Sequence, residues 1–84
     1  MKAVFKSVSN KQDDVGEVKI RGVVTVGEDG KATVTEGDDD FKEEYFQPVY
    51  NGKTSVSPDD GEAWCKAVQA RFSHCSNFYI VLEN

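Results

Sequence analysis

Cysteine, proline and long apolar runs are scarce in this sequence of 84 residues. The two cysteines, Cys65 and Cys75, are too few for a disulfide-rich secreted scaffold, and we expect free thiols in a reducing compartment. No apolar run reaches the roughly 18 residues that a membrane helix needs. Lys6 and Ser7 interrupt the N-terminal apolar residues before a signal peptide could form. We therefore expect a cytoplasmic protein that begins at its own start methionine and does not bind membranes.

Catalytic and metal-binding motifs are absent as well. The chain has no glycine-rich phosphate-binding loop, no H-E-x-x-H and no G-x-S-x-G. A structural zinc site needs four ligands, and a catalytic thiol needs a base within hydrogen-bond reach. We expect no cofactor, no metal and no enzyme activity. The alternative is a small thiol-dependent enzyme or ligand carrier that uses Cys75, His74 and Cys65.

The charge balance is negative, and the acids are concentrated in the middle of the chain. The formal net charge is −5 at pH 7. Residues 28–62 carry most of the acids, whereas residues 1–27 and 63–84 are slightly basic. Nucleic-acid binding requires clustered Lys and Arg, so we expect no direct nucleic-acid binding. The partner that this charge favours is a protein with a basic surface.

Residues 57–72 form the one segment with clear helical periodicity. Ser57 is a favoured N-cap, Pro58 suits the first helical position, and acids follow in the first turn. Gly61 would then lie inside the helix at a cost of about 1 kcal/mol relative to Ala. Such a glycine indicates either the close approach of another backbone, which is the commoner case, or a binding surface. The apolar stripe consists of Trp64, Ala67, Val68 and Phe72. We expect this stripe to cover one face of a small sheet.

Alternating and continuous apolar runs predict the strands of that sheet. The strands are residues 2–8, 17–26, 31–35, 78–82 and, with weaker patterns, the extended segment 48–50 and residues 53–56, which would pair back after a tight turn at residues 51–52. The predicted fold is therefore one α+β domain over residues 1–84, in the order β-β-β-α-β-(β)-α-β. It contains an antiparallel sheet of four to five strands, one main amphipathic helix (about 57–72) packed on one face, and a short helix near 39–46.

The second strand carries apolar residues at alternate positions. One face is predicted to contain Val18, Ile20, Gly22, Val24 and Val26. Gly22 in mid-strand indicates a bulge, a bend or a place where a bulky side chain crosses the sheet. Trp64 or Phe72 of the main helix is the predicted neighbour of this glycine.

The turn after this strand is predicted from the register that it creates. A two-residue loop at Asp29-Gly30 would split the valines between the two faces of the sheet. A three-residue loop, residues 28–30, keeps them together. The resulting pairs are Val26 with Ala32 and Val24 with Val34. We expect a type I turn followed by Gly30 in the left-handed conformation.

The last predicted strand, residues 78–82, is apolar on both sides. Phe78, Ile80 and Leu82 alternate with Tyr79 and Val81. Apolar residues on both faces are typical of a central or doubly covered strand. We expect this strand to complete the core.

The acidic run from Glu36 to Glu44 is the main candidate for a functional surface. Its spacing does not match the calcium-binding loop of an EF-hand, so the simplest structural explanation is a charged helix N-terminus with a solvated face. We predict that it contributes to an acidic and aromatic binding surface. The candidate residues are Asp38, Asp39, Asp40, Glu43, Glu44, Tyr45 and Tyr50.

The predicted function is a non-catalytic protein–protein interaction module or an inhibitor that uses this surface. In a special form, the carboxylates would imitate nucleic-acid phosphates at a basic groove. A further alternative is a homo-oligomeric assembly subunit that buries Tyr79 or Val81 between copies.

Overall fold

The computed structural model describes residues 1–9, 16–46 and 56–84. This part of the chain contains a four-stranded antiparallel sheet and two helices, in agreement with the predicted α+β class. The strands are β1 (Lys2–Val8), β2 (Val18–Val26), β3 (Ala32–Glu36) and β4 (Phe78–Glu83), and the helices are α1 (Asp39–Tyr45) and α2 (Gly61–Arg71). The predicted extended segment 48–50 and the turn at residues 51–52 lie outside the described residues, as does the predicted strand at 53–56 except for Val56, which is not in a strand.

The strand order in the sheet is β3-β2-β1-β4. β4 pairs with β1 and lies at an edge of the described sheet, so the prediction that residues 78–82 form a central or doubly covered strand is wrong. Ile80 pairs with Phe5, and both are buried beneath the helices. We call this side of the sheet the inner face and the opposite side, which carries Tyr79, the outer face. β4 is apolar on both sides because the outer face is itself partly apolar.

The hairpin between β2 and β3 has the predicted geometry. The observed register pairs Val26 with Ala32 and Val24 with Val34. Gly30 has φ of 80°, in the left-handed region that favours glycine, and its N–H donates to the Gly27 carbonyl at 3.0 Å. The three-residue loop is therefore confirmed.

The main helix is shorter than predicted because its expected first turn has another structure. α2 begins at Gly61 and ends at Arg71, so the predicted bounds of 57–72 are wrong. The Ser57 hydroxyl accepts a hydrogen bond from Asp59 N at 3.1 Å, within a turn that precedes the helix. Asp60 is the N-cap residue, and its side chain makes no capping hydrogen bond.

The turn before α2 is held against the hairpin by two backbone hydrogen bonds. Gly61 N donates to Gly30 O at 2.8 Å, and Ala32 N donates to Pro58 O at 2.8 Å. An added Cβ at Gly61 would lie 2.7 Å from Gly30 O and 2.8 Å from Ala32 N. The expectation that another backbone approaches this glycine is confirmed.

The core lies between the inner face and the two helices. Its largest fully buried side chains are Trp64, Phe5, Val24, Val68 and Cys65. Phe41 of α1 is also buried, and an added Cβ at Gly22 would lie 2.5 Å from its ring. The side chain that crosses Gly22 is therefore Phe41 of the short helix, and not Trp64 or Phe72 of the main helix as the sequence predicted.

β2 contains a bulge, and the side chains of its first residues therefore point to the opposite face of the sheet from the one that strict alternation predicts. The register with β1 shifts between Phe5 and Lys6, so Arg21 is an extra residue in β2. Beyond the bulge, Val18 and Ile20 lie on the outer face, and Ile20 is 59% exposed. The prediction that all the alternating apolar residues of this strand share one face is wrong for these two.

The close contact at Gly61 predicts an unusual response to substitution. Helix propensity alone would make Gly61→Ala stabilising by about 1 kcal/mol. Because the new methyl group would meet backbone atoms that cannot rotate away, we expect a loss of about 1–3 kcal/mol in the free energy of unfolding. Urea denaturation measures this change. Ala70→Gly, on the exposed side of α2, is the control, and a stabilised Gly61→Ala variant would contradict the contact.

Candidate functional site

α1 forms where the sequence provides an N-cap and an apolar side. The Asp38 carboxylate accepts a hydrogen bond from Phe41 N at 2.8 Å, as expected of an N-cap aspartate. Phe41 is 4% exposed and packs edge-on against Phe5, with ring centroids 4.9 Å apart. The Asp38 carboxylate therefore caps the start of α1, although its side chain remains at the surface.

Four other carboxylates of the acidic run are exposed along α1, whereas Glu36 lies at the end of β3. We call this set the acidic surface; it consists of Asp39, Asp40, Glu43 and Glu44. Asp39 precedes Glu43 by four residues, and Asp40 precedes Glu44 by four, so each pair lies on the same side of one helical turn. The fold thus brings four of the predicted site residues together on a single short helix.

Tyr45 lies on the opposite side of α1 and packs into the aromatic part of the core. Its ring is half-buried, stacks on Phe78 with centroids 4.8 Å apart, and meets the edge of Phe72 at 5.6 Å. Burial raises the pKa of Tyr45 above its usual range, and the neighbouring Glu44 carboxylate raises this pKa further through charge and a side-chain hydrogen bond. The aromatic member of the predicted surface therefore anchors the helix, and Tyr50 lies outside the described residues.

The two thiols differ in their surroundings. Both are free; Cys65 is buried and Cys75 is exposed. Burial raises the pKa of the Cys65 thiol, which disfavours the reactive thiolate. Within residues 1–9, 16–46 and 56–84, no group of three or more His, Cys, Asp or Glu side chains is arranged to hold a metal ion. A thiol enzyme or carrier that uses Cys65, His74 and Cys75 stays a prediction.

The sequence patterns missed the apolar side chains of the outer face. Val18 and Ile20 were assigned to the core by alternation, and the bulge at Arg21 places them in solvent. The signal for this reversal was Gly22, because a glycine inside a strand often accompanies a bulge. Tyr79, at 38% exposure, lies on the same face.

Comparison of the chain with models of known protein families, with curated protein sequences and with solved structures finds no significant match. Neither described helix is long and apolar enough to cross a membrane. The function must therefore be argued from the residues themselves.

The raised pKa of Tyr45 predicts a specific dependence of stability on pH. An unfolded tyrosine loses its proton near pH 10, whereas the folded Tyr45 retains it to a higher pH. The folding stability that this difference contributes is present below pH 10 or so and is lost as the pH rises through the folded pKa. We expect the free energy of unfolding of the wild type to fall more steeply above that pH than that of Tyr45→Phe. Urea denaturation of both proteins at a series of pH values measures this difference. Equal slopes of the free energy of unfolding against pH would contradict the burial of Tyr45.

The burial of Cys65 predicts that only one thiol reacts in the native protein. With an aromatic disulfide reagent near neutral pH, we expect Cys75 to react rapidly and Cys65 to react only on unfolding. Cys75→Ser should remove the fast phase, and Cys65→Ser should retain it. Fast reaction of both thiols in the native state would support the alternative thiol chemistry.

Proposed function

We propose that this protein is a non-catalytic protein-binding module that presents its acidic surface to a basic partner. The supporting observation is that α1 carries acids at positions where they weaken the helix. Like charges four residues apart cost about 0.2–0.5 kcal/mol for each pair, and α1 contains the pairs Asp39–Glu43 and Asp40–Glu44. A lysine at position 43 or 44 would remove one of these two repulsions.

The helix dipole strengthens this argument. Asp39 and Asp40 lie in the first turn, where negative charge is favourable. Glu43 and Glu44 lie near the end of α1, where negative charge opposes the dipole. Helix stability therefore explains only Asp39 and Asp40. Glu43 and Glu44 add negative charge to α1 that the helix dipole does not favour, and Glu44 also hydrogen-bonds Tyr45.

The packing of α1 supports a preformed binding surface. Phe41 is fixed over Gly22 in the core, and Tyr45 is stacked on Phe78. The carboxylates on the other side of the helix are therefore carried by an anchored backbone. Preorganisation of this kind reduces the ordering cost of association, and complementary charge accelerates it. A groove that normally holds nucleic-acid phosphates is one form of basic surface that such a helix would fit.

Glu43→Lys separates binding from stability. The substitution removes the repulsion with Asp39 and places a cation near the C-terminal end of α1, and both changes favour the helix. The same substitution should slow association with the basic partner by about tenfold at low salt and reduce the salt dependence of the rate. The partner is isolated with the wild-type protein as bait, and surface plasmon resonance then measures the rates.

Glu28→Lys, in the exposed hairpin loop, makes the same change in net charge away from α1. This control should reduce the association rate much less than Glu43→Lys does. Equal effects of the two variants would indicate a general charge effect and would contradict a specific acidic surface. Competition by a short DNA duplex would identify a nucleic-acid groove on the partner.

A further inference from the structure

The outer face combines exposed apolar side chains from two strands, β2 and β4. Residues paired across neighbouring strands lie on the same side of a sheet, so the register defines the rows of this face. The rows are Ile20–Lys6–Tyr79 and Val23–Val4–Val81, and Val18 lies opposite Val8 at the next row. Val18 is 48% exposed and Ile20 is 59% exposed, while Val4 and Val23 are buried. We call these residues the outer patch.

The bulge in β2 is what creates this patch. Without the extra residue Arg21, strict alternation would place Val18 and Ile20 on the inner face with Val24. The bulge instead re-aims two large apolar side chains into solvent, where they contribute little to folding. Bulges that redirect side chains in this way are frequent at functional positions.

Lys6 determines what kind of surface the patch fits. It is the central residue of its row, between Ile20 and Tyr79, whereas the other charged residues of this face, Glu36 and the Lys2–Glu83 pair, lie at the end of the next row and beyond it. Among the described residues, no carboxylate lies within 4.0 Å of its ammonium group. A partner that covers the apolar residues must also accommodate this cation, and a carboxylate does so through a charge-assisted hydrogen bond.

We propose that the outer patch docks an apolar segment of a partner protein that carries a carboxylate for Lys6. This contact is separate from the acidic surface, which selects a basic partner and belongs to α1. The module therefore has two surfaces, one that prefers a basic partner and one that prefers an apolar segment with a carboxylate. The occupant lies across the face of the sheet and is held by apolar burial around one central ion pair.

Two other occupants fit the structure less well. A second copy docked symmetrically through the same patch would bring Lys6 toward its equivalent, and like charges in a buried contact are costly. A strand added to the edge of β4 would need the backbone groups of Ile80, which point away from β1. The Ile80 carbonyl already accepts a hydrogen bond from Gln69 Nε2 of α2 at 3.1 Å. That bond hinders the pairing of another strand at the edge of β4.

Selection from a phage-displayed library of random dodecapeptides on the immobilised protein tests the proposal. The wild type should enrich apolar peptides that contain Asp or Glu. Lys6→Glu should enrich apolar peptides that contain Lys or Arg instead. The best wild-type peptide, measured by calorimetry, should lose affinity by about tenfold on Ile20→Ser, which alters only an exposed side chain of the patch.

Lys66→Glu is the charge-matched control, because Lys66 is exposed on α2 at the other side of the sheet. This variant should bind the wild-type peptide with unchanged affinity. No enrichment above an uncoated surface, peptides without an acidic preference, or full affinity in Lys6→Glu or Ile20→Ser would overturn the proposal. A concentration-dependent mass in sedimentation that Ile20→Ser abolishes would also overturn it, in favour of a second copy as the occupant.

Discussion

Burial of the Trp64 indole between α2 and the inner face is the contact on which the remaining structure depends. Trp64 is fully buried, and its ring lies 6.3 Å from that of Phe5 and 5.3 Å from that of Phe46, measured between centroids. Its Nε1 has no hydrogen-bond partner among the described residues, an arrangement that costs about 1–3 kcal/mol. Burial of the large apolar area of the ring outweighs this loss. The ring is important because a small domain has few large side chains with which to fill its core.

The two ends of α2 are fixed at opposite edges of the sheet, and this fixes the position of Trp64. At its start, Gly61 N bonds to Gly30 O of the hairpin beside β3. Near its end, the Gln69 side chain bonds to Ile80 O of β4. Backbone groups at the edges of a sheet are otherwise free to pair with other chains. The helix thus covers the inner face and occupies part of both edges, while Val18, Ile20 and Tyr79 of the outer face remain exposed.

The sequence was informative where local chemistry and the hydrophobic pattern agreed. The hairpin was predictable because only a three-residue loop keeps Val24 and Val34 together, and Gly30 suits the turn that such a loop requires. The start of α2 was not, because Ser57 and Pro58 are as suitable for a turn as for a helix N-terminus. The choice between them depends on hydrogen bonds to a distant hairpin, which no local pattern contains.

The candidate surfaces show the same limit. The exposure of Asp39, Asp40 and Glu43 followed from their charge, whereas the inward direction of Tyr45 depends on ring contacts with Phe78. The outer patch could not be read from alternation, because one extra residue in a strand exchanges the two faces beyond it. Gly22 indicated the position of the bulge but not that Val18 and Ile20 would lie on the outer face. Its role became clear only from the position of Phe41 above it.

The chain contains a single tryptophan, so its fluorescence reports directly on the central contact. The measurement is acrylamide quenching of the native protein compared with the protein unfolded in urea. We expect blue-shifted emission and weak quenching in the native state, with both lost in one cooperative step on unfolding, because the indole is enclosed by α2 and the sheet. Red-shifted emission and equal quenching in the two states would show that Trp64 is in solvent and would contradict the account.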